Sequence, residues 1–382
     1  MSKKKNAALA VDTEDRSSSY EVAGQWKLMW WKLKKHRMAM IALPIIIVMY
    51  TLTMCCEFFS PTLPLERYKS HKDCQPTPIH LWDAEGNFVG PFVYAMESSL
   101  DPVTYRKGFT ETDEIIKLGF FVRGIEYKFW GLWDTNIHFF GPILEEGEDP
   151  LDKGFFLMGT DDLGRDMFTR ILHGGRISLS FCLVSIFFTF MIGLTLGGLS
   201  GYLGGIVDTI VQRAIDLIMS MPTIPLWMAL AAALPSTMTQ LKKYLLMCLI
   251  MSLVGWTGLA RVTRGKILSL REEDFITAAR LCGSSHFRVI FKHLIPSFMS
   301  YIIVSLTGSI PSTILGETSL SFLGLGLQSP TISWGTLLQN CQTVESMAFY
   351  PWRMFPALFI IITVLMFNFA GDGLRDAADP YK

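Results

Sequence analysis

The amino-acid sequence predicts an all-α polytopic membrane protein of about six spans that carries a β-rich extracytoplasmic insert. Half of the 382 residues are hydrophobic and only 18% are charged, which is rare in a soluble domain. Several apolar runs are long enough to cross the ~30 Å hydrocarbon core of a bilayer. Between the first two runs lies a polar, aromatic stretch whose pattern is typical of strands.

The candidate spans are separated by polar or basic segments. They cover residues 38–56, 177–199, 215–234, 244–259, 295–315 and 355–369. The third and fifth contain prolines (Pro222, Pro225 and Pro311), which membrane helices tolerate but which blur helix ends. A long polar stretch precedes the first run and no small-residue cleavage site follows it, so we expect a retained anchor rather than a signal peptide.

Orientation follows from the basic residues that flank the spans. One cluster precedes the first span, and a second lies between the fourth and fifth spans: Lys27, Lys32, Lys34, Lys35 and Arg37, then Arg261, Arg264, Lys266, Arg271, Arg280, Arg288 and Lys292. Both segments are therefore predicted to be cytoplasmic, which with six spans puts both termini in the cytoplasm. Trp26, Trp30 and Trp31 indicate an interfacial helix within the cytoplasmic segment 1–37.

The insert, residues 57–158, precedes a transmembrane domain at residues 159–382 and is predicted to be mostly β. Residues 79–82 and 88–94 flank an Asp-Ala-Glu-Gly turn at residues 83–86, which is typical of a hairpin. Ile125, Tyr127 and Phe129 alternate with Glu126 and Lys128, the period of a half-buried strand. The insert is predicted to be a small folded cap.

The basic segment between the fourth and fifth spans, residues 261–294, has the signals of two short helices. Ser269 and Glu272 form a capping-box pattern that would open a helix ending at Arg280. Gly283 stands where a helix must end with positive φ, and Ser284 or Ser285 can cap the next helix.

The second of these helices is predicted to have one apolar face, which consists of Phe287, Ile290, Phe291 and Leu294. Pro296 marks the entry into the fifth span. From spacing alone, an amphipathic loop resting on the membrane is as good an interpretation as a surface that docks onto another protein. Ala278 and Ala279 would allow close approach in the second case.

The segment DFITAARLCGSSHFRVIFKHLIP, residues 274–296, resembles the EAA loop of binding-protein-dependent ABC importer permeases. Ala278, Ala279, Gly283, Ile295 and Pro296 match the pattern of that loop, which has Glu-Ala-Ala, then Gly, then an Ile-x-Leu-Pro ending. Two positions depart from it: Thr277 replaces the usual Glu, and His293 replaces a frequent Ile. The resemblance implies that Thr277, Ala278, Ala279, Gly283 and Pro296 couple the permease to an ATPase.

Three further segments resemble the dipeptide/oligopeptide branch of this family, and in particular its second permease subunit. They are GTDDLGRDMFTRILHGGRISLS at 159–180, GETSLSFLGLGLQSPTISWG at 316–335 and GDGLRDAADP at 371–380. The resemblance implies the transmembrane domain of a type I ABC importer in a bacterial inner membrane. Its partners would be a homologous permease, two ATP-binding cassette ATPases, an extracytoplasmic solute-binding protein and the bilayer.

The first of these segments also carries local signals. Asp161 or Asp162 is predicted to cap a short interfacial helix with Leu163, Met167 and Ile171 on one face, and Asp166 is predicted to pair with Arg170 four residues on. A structural role for these carboxylates is favoured over a catalytic one.

Other chemistry is poorly supported. The nearest approach to a P-loop, Gly265-Lys266, is followed by Ile267 and has Ala260 where the first glycine is needed, so ATP hydrolysis is expected in partner subunits. No CxxC pair or Cys/His spacing suits zinc, and we predict neither a metal site nor a cofactor. Lys+Arg and Asp+Glu balance at 34 each, so no nucleic-acid partner is expected.

Several alternatives stay open. Glu317 near the end of the fifth span is a candidate for the substrate pathway, because acids in hydrocarbon are costly; contact within the permease dimer or with headgroups is the other interpretation. Cys74 and Cys341 both fall outside the membrane, where a disulfide would be allowed. The cargo is open between peptides, nickel, glutathione, peptide antibiotics and sugars. A channel or scaffold independent of ATP, and an enzyme active in the insert, are the alternative classes.

Overall fold

The computed structural model describes residues 25–83, 85–100, 107–144, 153–235 and 237–378. Five helices in it are long and apolar enough to span a membrane: Arg37–Met54, Met167–Leu203, Gln240–Leu270, Met299–Phe322 and Pro351–Ala378. A helix pair, Gly205–Met219 and Thr223–Ala232, meets the same criterion together but is bent by 92°. The predicted polytopic α-helical fold is therefore confirmed, with the third span broken at Pro222.

The helices are numbered in chain order. They are α1 Gln25–Lys35, α2 Arg37–Met54, α3 Cys56–Phe59, α4 Met167–Leu203, α5 Gly205–Met219, α6 Thr223–Ala232, α7 Gln240–Leu270, α8 Asp274–Leu281, α9 His286–Arg288, α10 Ile295–Ser297, α11 Met299–Phe322, α12 Trp334–Gln339, α13 Val344–Phe349 and α14 Phe355–Ala378. A π-helical turn covers Val289–Leu294, and a 3-10 turn covers Pro351–Met354.

The predicted N-terminal helix forms as α1. Lys27 and Lys34 lie over the rings of Trp31 and Trp30, at 5.0 and 5.4 Å; the side chain of Trp26 lies outside the described residues. Met29 and Leu33 are buried in a cluster with Ala39 and Ala377. The inner face of α1 thus packs on the carboxyl end of α14.

The insert between α3 and α4 contains a four-stranded antiparallel sheet in the order β1-β2-β3-β4. The strands are β1 His80–Trp82, β2 Phe88–Leu100, β3 Lys107–Phe129 and β4 Trp133–Pro142. The first predicted hairpin is confirmed: Asp83 N–H donates to Asn87 O at 3.0 Å and Gly86 has φ +84°. Its Ala84 lies outside the described residues.

The second span is longer than its apolar run. α4 is a continuous helix of 37 residues whose N-cap is Asp166, which accepts a hydrogen bond from Thr169 N–H at 2.9 Å. The predicted separate interfacial helix and the Asp166–Arg170 pair are wrong. Since the Asp166 carboxylate caps α4, Arg170 pairs instead with Asp161.

Glycines allow α4 to lie close against α7. A Cβ at Gly197 would come within 2.6 Å of Ala260 O, and a Cβ at Gly201 within 2.9 Å of Arg264 O. Small residues permit such backbone contact between membrane helices. This pair forms the centre of the bundle, and α11 and α14 pack together beside it.

Candidate coupling interface

The residues that follow α7, 271–298, form a compact connection to α11. The helix α8 ends in a complete Schellman motif: Ser284 N–H donates to Ala279 O at 3.1 Å and Gly283 N–H donates to Arg280 O at 2.9 Å. Gly283 has φ +77°, a conformation that costs glycine little. Ser285 then caps α9 by accepting from Arg288 N–H at 3.4 Å. The predicted glycine stop and serine cap are both observed.

The predicted capping box is wrong. Ser269 lies inside α7, and its hydroxyl donates to Lys266 O at 2.9 Å. The helix α8 begins at Asp274, after Glu273 in an extended conformation without a side-chain cap. α7 continues helical through the basic residues that follow its apolar run, so the connection between the helices is shorter than the predicted 261–294.

The buried side of this segment fastens it to the membrane helices. Ile276 is fully buried in a cluster with Leu194, Leu259 and Ile267, and Ile290 and Leu294 join the same cluster. This packing fixes the position of α8 beneath α4 and α7.

A polar contact adds to this packing. The Arg280 guanidinium lies 4.8 Å from the centre of the Tyr202 ring, and its Nε donates to the Tyr202 hydroxyl at 3.1 Å. Tyr202 is in the last turn of α4, and no pattern in the sequence pointed to it. The contact joins α8 to the end of the longest helix.

The other side of the segment is exposed. Thr277 and Ala278 lie on the surface of α8, as does Gly283 just beyond it, whereas Ala279 is half-buried. Leu281 is 84% exposed, and Phe287 and Phe291 stack on each other with ring centres 6.3 Å apart. Exposed apolar groups on a rigid scaffold are typical of a protein-docking surface.

The second predicted helix of this segment, which forms as α9 and the π-helical turn, therefore does not have a single apolar face. Ile290 and Leu294 point inward, while Phe287 and Phe291 point outward. Pro296 is the exposed second residue of α10, after the buried Ile295. Because Pro296 has no N–H and its ring would meet the carbonyl of Lys292, the wider π-helical turn relieves the helix just before it.

Ion pairs tie the bent third span to α7 near this segment. Arg264 donates through Nε and Nη2 to both oxygens of Asp208, each at 2.6 Å. Arg261 donates to Asp216 at 2.8 Å. Both pairs are partly exposed, as expected of charges at a membrane boundary.

Glu317 lies within α11 and is 1% exposed. Its carboxylate accepts hydrogen bonds from Ser178 Oγ at 3.1 Å and Ser321 Oγ at 2.9 Å. Ser178 Oγ in turn accepts from Trp334 N–H at 3.1 Å. In this conformation Glu317 therefore meets side chains of its own subunit; contact with a solute stays a prediction that this geometry does not support.

This Glu317 contact brings together two segments that the sequence singled out. Residues 159–180 and 316–335 meet where Trp334 Nε1 donates to Ile171 O at 3.0 Å. A Cβ at Gly175 would come within 2.9 Å of the Trp334 ring. Glycine at that position makes room for the indole.

Charged side chains cluster beyond this end of α4. Asp161 accepts from Arg165 Nε at 2.8 Å and pairs with Arg170, and all three are buried. Arg353 pairs with Asp73 in the insert. Cys74 and Cys341 are both free and buried, so the disulfide between them does not form. Burial raises the pKa of Cys74 to about 12.

Comparisons with known proteins show the family of the chain. Residues 193–381 match the family described as binding-protein-dependent transport system inner membrane component, and residues 24–76 match the N-terminal membrane domain of oligopeptide transport permease C. The chain is 39% identical over 239 residues to the oligopeptide transport system permease protein OppC of Bacillus subtilis (strain 168), covering 62% of this chain and 75% of the relative.

Two further similarities cover less of the relative or have a lower sequence identity. The dipeptide transport system permease protein DppC of Lactococcus lactis subsp. cremoris (strain MG1363) is 37% identical, over 60% of this chain and 65% of its own length. An inward-facing MetNI methionine ABC transporter chain is 18% identical with a TM-score of 0.41, covering 55% of this chain and 97% of that one.

The chain is thus a multi-pass inner-membrane permease subunit. It belongs to the binding-protein-dependent transport system inner membrane component family.

Proposed function

We propose that the chain is a permease subunit of an ATP-driven importer of dipeptides or oligopeptides. A homologous permease completes the pathway, two ATPases grip the 271–298 segments, and a solute-binding protein delivers cargo at the opposite face. Both termini and the 271–298 segment then lie in the cytoplasm, and the insert lies outside. ATP is hydrolysed by the partner subunits.

One observation carries the proposal: the exposed surface of α8 is held rigidly from below. Ile276 and the Arg280–Tyr202 contact fix the helix to the membrane domain, while Leu281 and Phe287 face outward. A segment built in this way transmits force, whereas a loop resting on lipid needs no Schellman motif or buried anchor.

The cargo class is supported by the relatives, which are named as oligopeptide and dipeptide permeases.

The test is solute-stimulated ATP hydrolysis by the reconstituted complex. We expect Gly283→Pro to abolish stimulation, because proline cannot adopt φ +77° and removes the N–H bonded to Arg280 O. Gly283→Asn is the matched control, since asparagine tolerates positive φ and a Cβ at this position meets nothing within 4 Å; it should retain stimulation. Survival of stimulation in the proline variant would overturn the coupling assignment.

A second pair of variants avoids backbone effects. Leu281→Asp should weaken ATPase binding, whereas Val344→Asp, at a residue that is 83% exposed against 84% for Leu281, should not. Solute flux in vesicles without any ATPase would instead indicate a channel. Turnover of a compound by the permease alone would indicate an enzyme.

A further inference from the structure

The tip of the β3–β4 hairpin is strongly apolar and faces outward. Trp130, Gly131 and Leu132 form its loop, with Phe129 and Trp133 paired at its base. Trp130, Leu132 and Trp133 are 55%, 69% and 62% exposed. Three large apolar side chains side by side in water are costly.

The backbone conformation of this loop keeps its apolar side chains exposed. Gly131 has φ +72°, and Trp130 has φ +51°, which is an uncommon and costly conformation for a bulky residue. Trp130 stacks on Phe129 with ring centres 5.6 Å apart. The loop is therefore held in one shape rather than collapsed onto the sheet.

A hydrogen bond gives the position of the tip relative to the membrane helices. Trp130 Nε1 donates to Met54 O at 2.6 Å, and Met54 is the last residue of α2. Arg176 Nη2 donates to the same carbonyl at 2.6 Å, and Arg176 also pairs with Glu57. Glu57 lies in α3, directly after α2, and Arg176 lies in the third turn of α4. A charged pair at this level marks the plane where hydrocarbon gives way to polar surroundings.

The tip lies beside the carboxyl end of α2, a helix with exposed apolar side chains. Ile47 and Val48 in that helix are exposed on an apolar span. Behind the tip, Lys128 and Asp134 pair across the hairpin at 3.7 Å, and both are exposed. The order from apolar loop to charged pair matches the passage from acyl chains to headgroups.

We propose that the hairpin tip, residues 129–133, inserts into the lipid interface at the leaflet where α2 ends. The indoles of Trp130 and Trp133 sit among the headgroups, as tryptophans do in interfacial aromatic belts, and Leu132 reaches the acyl chains. The lipid-bound tip anchors the insert to the membrane in addition to the two chain connections at its ends. This anchoring is separate from the transport activity proposed above.

The proposal is tested by spin labels on the full-length chain in the assembled complex in lipid nanodiscs. The background is Cys55→Ser/Cys282→Ser, because the other cysteines are buried. We expect a label at Leu132→Cys to be several-fold more accessible to O₂ than to a water-soluble nickel chelate, relative to a label at Ser99→Cys. Ser99 is an exposed residue that pairs with Gly108, near the far end of β3.

A label at Asp134→Cys should report an intermediate depth. A nickel-accessible label at Leu132→Cys would place the tip in water and overturn the proposal. A label reached by neither reagent would place it against another protein subunit and would also overturn it.

Discussion

Arg280 lies against Tyr202, so the first helix of the 271–298 segment is bonded directly to the last turn of α4. The contact combines a cation over an aromatic ring with a hydrogen bond from a charged donor, and because Arg280 is exposed the two together are worth about 1 kcal/mol. It is a polar contact between α8 and the membrane domain, and under the proposed coupling it would carry movement of α8 to α4.

The Arg280–Tyr202 contact predicts an energetic coupling. In a double-mutant cycle of Arg280→Ala and Tyr202→Ala, measured by thermal unfolding of the purified subunit, we expect a coupling free energy of about 1 kcal/mol. The control cycle pairs Tyr202→Ala with Arg288→Ala, which alters another exposed arginine of the same segment, and should be additive. Additivity in the first cycle would mean that the contact does not form.

Glu317 is predicted to stabilise the subunit rather than to bind solute. Glu317→Ala should destabilise it by about 3 kcal/mol, because a cavity forms and two serine hydroxyls lose their acceptor. Glu317→Gln should cost about 1 kcal/mol, since the amide keeps the volume and one oxygen. Thermal unfolding measures both losses, and a raised transport KM in Glu317→Gln with unchanged stability would contradict this role.

Substitution by alanine is predicted to change the stability of the subunit in opposite directions at two glycines. Gly197→Ala should destabilise the bundle by about 1–3 kcal/mol, because its Cβ would meet the backbone of Ala260. Gly265→Ala lies within α7 where a Cβ meets nothing within 4 Å. It should stabilise the subunit by up to about 1 kcal/mol. Equal shifts in the unfolding temperature of the two variants would argue against the α4–α7 contact.

The Glu57–Arg176 pair predicts acid sensitivity. Burial is the largest single influence and opposes ionisation of Glu57, but the hydrogen bonds and charge of Arg176, a backbone hydrogen bond and the nearby His173 together lower the pKa of Glu57 below its usual range. Because the folded-state pKa is the lower one, this stabilisation is complete above the unfolded-state pKa and is lost as pH falls through the folded-state pKa.

The measurement is the unfolding temperature between about pH 6 and pH 3, a range that spans the ordinary pKa of glutamate. Glu57→Gln should lower the unfolding temperature at pH 6 and flatten its fall in acid. An unchanged acid slope in the variant would show that the pair contributes nothing.

Hydropathy located the spans but not the full helices. The apolar run of the fourth span ends at Leu259, yet α7 continues to Leu270, because backbone hydrogen bonds persist where side chains become basic. The capping box was misplaced at Ser269 for this reason, because Ser269 lies in the part of α7 that hydropathy did not predict. Gly283 and Ser285 were predicted correctly because a helix stop and a helix cap are local properties of the chain.

Contacts between distant segments were beyond prediction from one sequence. Glu317 stood out as an acid near hydrocarbon, but its partner Ser178 lies 139 residues away. Phe287 and Phe291 were predicted to share one apolar face with Ile290 and Leu294 on an α-helical period, but the segment contains a π-helical turn and the two phenylalanines are exposed. Nothing in the local pattern indicated that Trp130 reaches Met54.

The helix α4 is unbroken over its whole length, which is enough to span a bilayer. At 1.5 Å per residue its 37 residues extend about 55 Å, from the capped end beside the insert to Tyr202. A tilt of about 10° around its midpoint would swing each end by about 5 Å in opposite directions. Under the proposed coupling, a displacement of the Tyr202 end would reach the opposite end of α4 without crossing a break in the helix.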